Sequence, residues 1–304
     1  MTSRAEYRAF ERTALRTWAA AAILCSGLTS CTRDEMTNTE TQSNPALARG
    51  ASTERELGSS WRTFATTPVY FGHQSVGGNI VSGLREMNDS GAVPALTIAR
   101  SRERASVGAT GFVEFLIGEN GRPESKIADF AAALEQIGDT SAAVAMFKYC
   151  YLDITAETNV DALFARHRDA VRAMRRKHPN LTFVHVTVPL TAVESGPRYI
   201  AKRLLGKPTM RDSNARRNEF NALLRSEYAD EPMFDLARIE STRPDGSRAF
   251  TRNGADTVHT LAAEFTDDGG HLNSTGRSVA ARELVAVVAR AVTERGTATP
   301  GATR

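Results

Sequence analysis

Short β-branched or aromatic runs alternate along the chain with longer segments whose apolar residues recur every three or four positions. That alternation predicts βα units around a largely parallel sheet. Val69-Tyr70-Phe71 predicts a first strand ending at Gly72, and Ile80, Leu84 and Met87 mark a helix over residues 79–87. Residues 95–99 predict a second strand. Residues 123–137 have helix-start chemistry and an apolar face of Ile127, Phe130, Leu134 and Ile137; residues 142–147 then form a buried-strand run. A helix over residues 160–177 stops before His178-Pro179, because proline disfavours helical geometry in its predecessor. Residues 181–188 give the cleanest strand, 220–228 lie on a helix, 233–236 make a short last strand and 277–292 a closing helix. The expected fold is an α/β three-layer sandwich with a mostly parallel sheet of about five strands. In open sheets of this kind functional groups gather at the carboxyl ends of the strands. Residues 72–75, 147–153 and the loop before the closing helix all fall there.

Composition narrows the class. With 304 residues, 41% hydrophobic and 24% charged, the chain has the profile of a folded protein, which excludes collagen and coiled coil. A net charge of +3 supplies no concentrated positive field, so nucleic acid is not an expected partner. Cys25, Cys31 and Cys150 are too few and too scattered for a disulfide scaffold or a structural zinc site.

The beginning of the chain reads as an export signal. Arg4, Arg8, Arg12 and Arg16 precede an uncharged stretch over residues 18–28, shorter than the roughly 20 apolar residues a spanning helix needs. Leu28-Thr29-Ser30-Cys31 then resembles a bacterial lipobox, with Cys31 as the lipidated residue and the membrane as a partner through that anchor. A plain secretory signal, or an amphipathic helix with an incidental cysteine, is the alternative. The expected organisation is a signal peptide over residues 1–30, a flexible polar tether over 31–56, one domain over 57–292 and a disordered tail over 293–304. The expected location is the bacterial cell envelope. Cys150 would then be a lone thiol, read as a small buried hydrophobe.

Two segments carry candidate chemistry. In Phe71-Gly72-His73-Gln74-Ser75-Val76-Gly77-Gly78-Asn79 a strand runs into a small-residue turn that opens a helix. Such a turn exposes a serine hydroxyl, and backbone N–H groups at the helix start can stabilise an oxyanion. Asp267-Asp268-Gly269-Gly270-His271-Leu272-Asn273-Ser274-Thr275-Gly276 supplies a base. An Asp three residues ahead of a His can fold back onto Nδ1 while Nε2 faces the serine.

In motif order the chain resembles the SGNH/GDSL hydrolase superfamily, as a divergent branch with Gly-His-Gln-Ser in the first block. The resemblance covers nearly all of residues 68–292. It implies a flavodoxin-like sandwich in which Ser75 is the nucleophile, His271 the general base and acid, and Asp268 the residue that orients His271. The Ser75 N–H would be one oxyanion donor. The family's Gly-x-Asn-Asp block is missing; Phe147-Lys148-Tyr149-Cys150-Tyr151-Leu152-Asp153 stands in its place, and Gly118 and Asn120 are substitute oxyanion candidates.

Each residue also has a plainer reading. Ser75 suits a helix cap, and Asp267 is an alternative to Asp268. His73 is either a surface loop residue or one that contacts substrate or tunes Ser75, Lys148 either solvated or a cation near the developing charge, and Asp153 either a loop cap or a site carboxylate. Tyr149 and Tyr151 read as packing and rim residues, Asn273 as the cap of the closing helix, and His185 as structural. No metal-ligand spacing and no Gly-rich nucleotide loop occurs, so neither metal nor cofactor is expected. The expected function is an exported serine esterase forming an acyl-enzyme, with acylated saccharides of the envelope ahead of lipids as substrates. An O-acyltransferase using the same site, or a non-catalytic glycan- or protein-binding envelope module, is the alternative.

Overall fold

The computed structural model describes residues 45–91, 93–102, 110–139, 143–194 and 196–297. The expected signal peptide, Cys31 and the end of the tail lie outside the described residues. Helix α1 (Pro45–Ala65) begins inside the stretch expected to be a tether. Pro45 is preset for a first helical turn. Further along, Leu57, Trp61 and Phe64 recur at helical spacing and pack into the core, so residues 45–56 are helical rather than loose chain.

Strand β1 (Pro68–His73) is central to a five-stranded, all-parallel sheet. Strand β2 (Ile98–Arg100) lies outside β3 (Gly111–Leu116), which pairs with one edge of β1. Strand β4 (Val144–Phe147) pairs with the other edge and β5 (Thr182–Phe183) with β4, giving the order β2-β3-β1-β4-β5. Strand β6 (His185–Val186) continues β5 across Val184. The Thr182 and Val184 N–H groups donate to β4's side, and those of His185 and Thr187 donate to Pro232 and Phe234. The expected single strand over residues 181–188 is therefore one extended run with two neighbours, and β7 (Met233–Phe234) pairs with its second half.

Helices cover both faces. Strand residues alternate between them: Val69 and Phe71 join one core with helices α1, α2 (Val76–Asp89) and α8 (Ser274–Thr297). Tyr70 joins the other, with α3 (Pro123–Ile137), α4 (Val160–Lys177) and α6 (Met210–Glu227). Three smaller pieces complete the described chain: α5 (Pro197–Leu204), α7 (Leu236–Ser241) and the hairpin β8 (Phe250–Asn253) with β9 (Asp256–His259). The expected three-layer α/β sandwich is present. Helices α2 and α8 approach closely at Gly83, where a β-carbon would stand 2.4 Å from the Arg277 carbonyl oxygen. That contact brings the closing helix beside the helix that follows β1.

Two expectations shift. The second strand is Ile98–Arg100, displaced toward the C-terminus, and strand β3 was not expected at all. Its Glu114 interrupts an apolar run, yet is fully buried.

Candidate active site

The chain leaves β1 through a tight turn over Gln74–Gly77, closed by the Gly77 N–H on the Gln74 carbonyl at 3.1 Å. Ser75 takes φ 52° and ψ −113°, and is the only non-glycine residue with positive φ among those described. This is close to the first corner of a type II′ turn, which glycine normally occupies. Its hydroxyl makes no capping bond to α2, so the helix-cap reading fails. Instead Ser75 Oγ lies 2.8 Å from His271 Nε2.

The base arrives on the loop that opens α8. Asn273 caps that helix: its Oδ1 accepts the Gly276 N–H at 3.1 Å. Asp268 folds back over the glycines, so that Oδ2 meets His271 Nδ1 at 2.7 Å and Oδ1 accepts the N–H groups of His271 and Gly270 at 2.7 and 2.9 Å. Partial desolvation pushes the Asp268 carboxyl up. The two backbone donors and the imidazole outweigh it and hold the pKa at about 2. Asp267 faces the Asn273 amide instead, at 3.4 Å. Two further bonds pin the loop: Leu272 N–H to Asn79 Oδ1 at 3.2 Å, and Ala192 N–H to the Gly269 carbonyl at 2.8 Å.

Tyr151, expected to be a rim residue, belongs to this centre. It meets the His271 ring edge-on, with 5.9 Å between ring centroids. Gly270 makes room for it; a β-carbon there would stand 3.0 Å from the phenol oxygen. The Arg217 guanidinium lies 5.8 Å from the Tyr151 ring centroid, and its Nε donates to the Tyr151 carbonyl at 3.0 Å. Burial pushes the phenol pKa above its ordinary value, and the nearby Asp268 carboxylate adds to this. Nothing in the sequence spacing marks Tyr151, because its partners come from distant segments.

Other candidates are placed differently. His73 is 1% exposed and does not reach substrate space. Its Nε2 contacts Glu114 at 2.7 Å, while Arg85 and Arg100 reach the other Glu114 oxygen at 3.0 and 3.1 Å. Burial pushes the Glu114 carboxyl up, but these partners outweigh it and bring the pKa to about 2; burial lowers that of His73. The imidazole packs beneath the serine turn and leaves no room for a side chain at Gly77.

Lys148 is also corrected. It is fully buried, donates to the Tyr149 carbonyl at 3.0 Å, and burial lowers its pKa to about 8. Gly118 donates its N–H to Asp129 at 2.9 Å, which removes it as an oxyanion donor. It is a glycine because φ is +48° and a β-carbon would meet the Lys126 nitrogen at 2.6 Å. Asn120 accepts Lys126 Nζ at 2.8 Å through Oδ1, which leaves its Nδ2 to donate elsewhere.

Asp153 is a buried scaffold carboxylate. It contacts Lys126 Nζ at 2.7 Å and accepts the N–H groups of Gly121 and Cys150 at 2.7 and 2.6 Å, tying the loop after β3 to the loop after β4. Gln74 strengthens the same junction by donating to the Gly118 carbonyl at 2.9 Å. Cys150 is buried, and His185 stacks on Tyr228 at 3.6 Å, both away from solvent. No cluster of metal-ligating side chains occurs among the described residues.

A cleft of about 320 Å³ touches the triad at Asp268; Tyr151, Gly270, Val193, Glu194 and Met210 also line it, whereas Ser75 and His271 do not. Larger surface cavities, one flanked by Asp161 and Arg168, contain none of the three triad residues.

The chain matches no known family profile and no curated protein. Solved structures similar to it include a putative platelet activating factor from Streptococcus pneumonia, 12% identical at a TM-score of 0.43, with 80% of this chain and 98% of that one covered. A member of the lipolytic G-D-S-L family from Veillonella parvula is 11% identical at 0.39, covering 72% and 96%. An extracellular lipase from Streptomyces rimosus is 12% identical at 0.37, covering 74% and 100%.

Proposed function

We propose that the protein is a serine ester hydrolase of SGNH/GDSL type that works through an acyl-enzyme. The observation that carries this reading is the unbroken chain of contacts from Ser75 Oγ through His271 to Asp268, 2.8 and 2.7 Å long. A helix cap or a binding surface has no use for that alignment. Nε2 of His271 takes the hydroxyl proton as Oγ attacks the ester carbonyl carbon, and Asp268 stabilises the imidazolium that forms. The developing oxyanion faces the Ser75 N–H at the start of α2 and the Tyr151 hydroxyl, which stands in for the missing asparagine donor. As the carbonyl–oxygen bond to the alcohol breaks, His271 returns the proton to the leaving alkoxide. Water then attacks the acyl carbon, gives its proton to His271, and the acid departs with Ser75 restored. Export and action at the cell envelope belong to the same proposal and rest on the sequence around Cys31.

The test is turnover of short-chain aryl esters with single and double variants. Ser75→Ala and His271→Ala are each expected to lower kcat by at least about a thousandfold, and the double variant to lose little more, because the two act as one unit. Tyr151→Phe is expected to lower kcat by about tenfold or more with little change in KM, the signature of a donor used in the transition state. Full activity in Ser75→Ala would refute the mechanism. Absence of turnover on any ester, with saturable glycan binding that survives Ser75→Ala, would select a non-catalytic module.

A further inference from the structure

Val193 and Met210 both line the cleft, so the chain between them leaves it and returns to it. Helix α5 lies within this excursion. Glu194 ties it to the rim, accepting Lys202 Nζ at 2.6 Å and the Met210 N–H at 3.4 Å. Seven large apolar side chains are exposed among the described residues, and four of them, Val193, Ile200, Leu204 and Leu205, belong to this one excursion. Leu204 is 82% and Leu205 69% exposed. Ile200 and Leu204 stand four apart and share a helix face. The surrounding charge is mostly positive: residues 193–207 include Arg198, Lys202, Arg203 and Lys207 against the single acid Glu194.

Apolar side chains clustered on a surface mark a place that something else covers. Apolar tips within a segment of net positive charge fit lipid best: the tips enter the acyl boundary and the cations remain among anionic headgroups. No described helix is long and apolar enough to cross a membrane, so this surface would lie on the bilayer rather than span it. We infer that residues 193–207 dock the cleft onto an anionic lipid bilayer, and that esters reach Ser75 from that surface. The delivery of esters rests on the hydrolase reading; the docking does not.

A site-specific probe separates this surface from the rest of the chain. The full chain with Cys25→Ser, Cys31→Ser and Ser75→Ala carries an environment-sensitive fluorophore on Leu205→Cys; the buried Cys150 escapes labelling. It is mixed with vesicles of phosphatidylcholine, with or without phosphatidylglycerol. The expected result is a blue shift and protection from an aqueous quencher only when phosphatidylglycerol is present, weakened by salt. The same label on Glu135→Cys, at the end of α3 away from the cleft, should show neither. Ile200→Asp with Leu204→Asp should weaken the vesicle affinity read by the Leu205 probe about tenfold or more at an unchanged unfolding midpoint.

A Leu205 probe that stays quenchable on vesicles, or a shift that survives the two aspartates, overturns the inference. A shift without vesicles, accompanied by a dimer in sedimentation, overturns it in favour of self-association. Because the probed chain already lacks the Ser75 hydroxyl, failure of the hydrolase reading would show in the ester assay and leave this measurement intact.

Discussion

Ser75 holds a backbone conformation that costs a β-carbon-bearing residue about 1–3 kcal/mol, a strain found where function demands it. Glycine adopts the same angles freely. Ser75→Gly is therefore expected to raise stability by about 1 kcal/mol over Ser75→Ala in urea unfolding, with both variants inactive. Equal stability would mean that the turn is not strained. The triad was legible in the sequence because two of its members sit three residues apart in a glycine-rich loop, where spacing alone dictates that they meet. The nucleophile followed from a strand running into a small-residue turn. The donors proposed for the oxyanion were not legible. Tyr151 reaches the His271 ring from the end of another strand, and Gly118 looks suitable until its N–H is found bonded to Asp129. His73 and Lys148 misled for a related reason: polar residues beside a candidate nucleophile suggest contact with substrate, yet both are buried beneath the loops.

Elements hold the site through the contact between α2 and α8. At Gly83 any side chain would collide with the Arg277 carbonyl, and Arg277 lies six residues beyond His271. Gly83→Val is expected to cost about 1–3 kcal/mol by overpacking and to lower kcat more than Ser82→Val on the adjoining, half-exposed face. Thermal unfolding read beside ester turnover would show it; a destabilised variant with intact kcat would mean that the helix contact does not set the base. The elements with plain periodicity, α3 and α4, were legible to the residue, since nothing in their surroundings competes with the pattern. Strand β3 was hidden by Glu114. A charge inside an apolar run reads as a break, and only the tertiary arrangement of His73, Arg85 and Arg100 makes its burial tolerable. The docking excursion was missed because a short helix between two prolines offers too few turns for its periodicity to stand out.

At the scale of the whole molecule, one carboxyl couples stability to pH. Glu240 is fully buried; Oε2 accepts the Leu190 N–H at 2.7 Å and Oε1 has no partner. Burial raises its pKa from an ordinary 4.5 to about 8. The folded chain therefore keeps a proton that the unfolded chain releases, and stability present below about 4.5 is lost as pH rises to about 8. The loss should be on the order of a few kcal/mol. Lys148, lowered to about 8 by its own burial, acts only above that window. Burial lowers His167 and His185 from 6.5 to about 4 and about 3, so their contribution to stability rises with pH up to about 6.5 and opposes Glu240 there, leaving the loss visible between about 6.5 and 8. Urea midpoints between about pH 6.5 and 8 should fall in the parent protein and stay nearly flat in Glu240→Gln; parallel curves would place the proton elsewhere. The nucleophile and its base also stand 196 positions apart in the chain. A ribosome that has made β1 and its serine has still to make every later strand before the histidine emerges. The nascent chain carries a hydroxyl without a base throughout that interval, so on the proposed mechanism reactivity is withheld until the loop before α8 has been made.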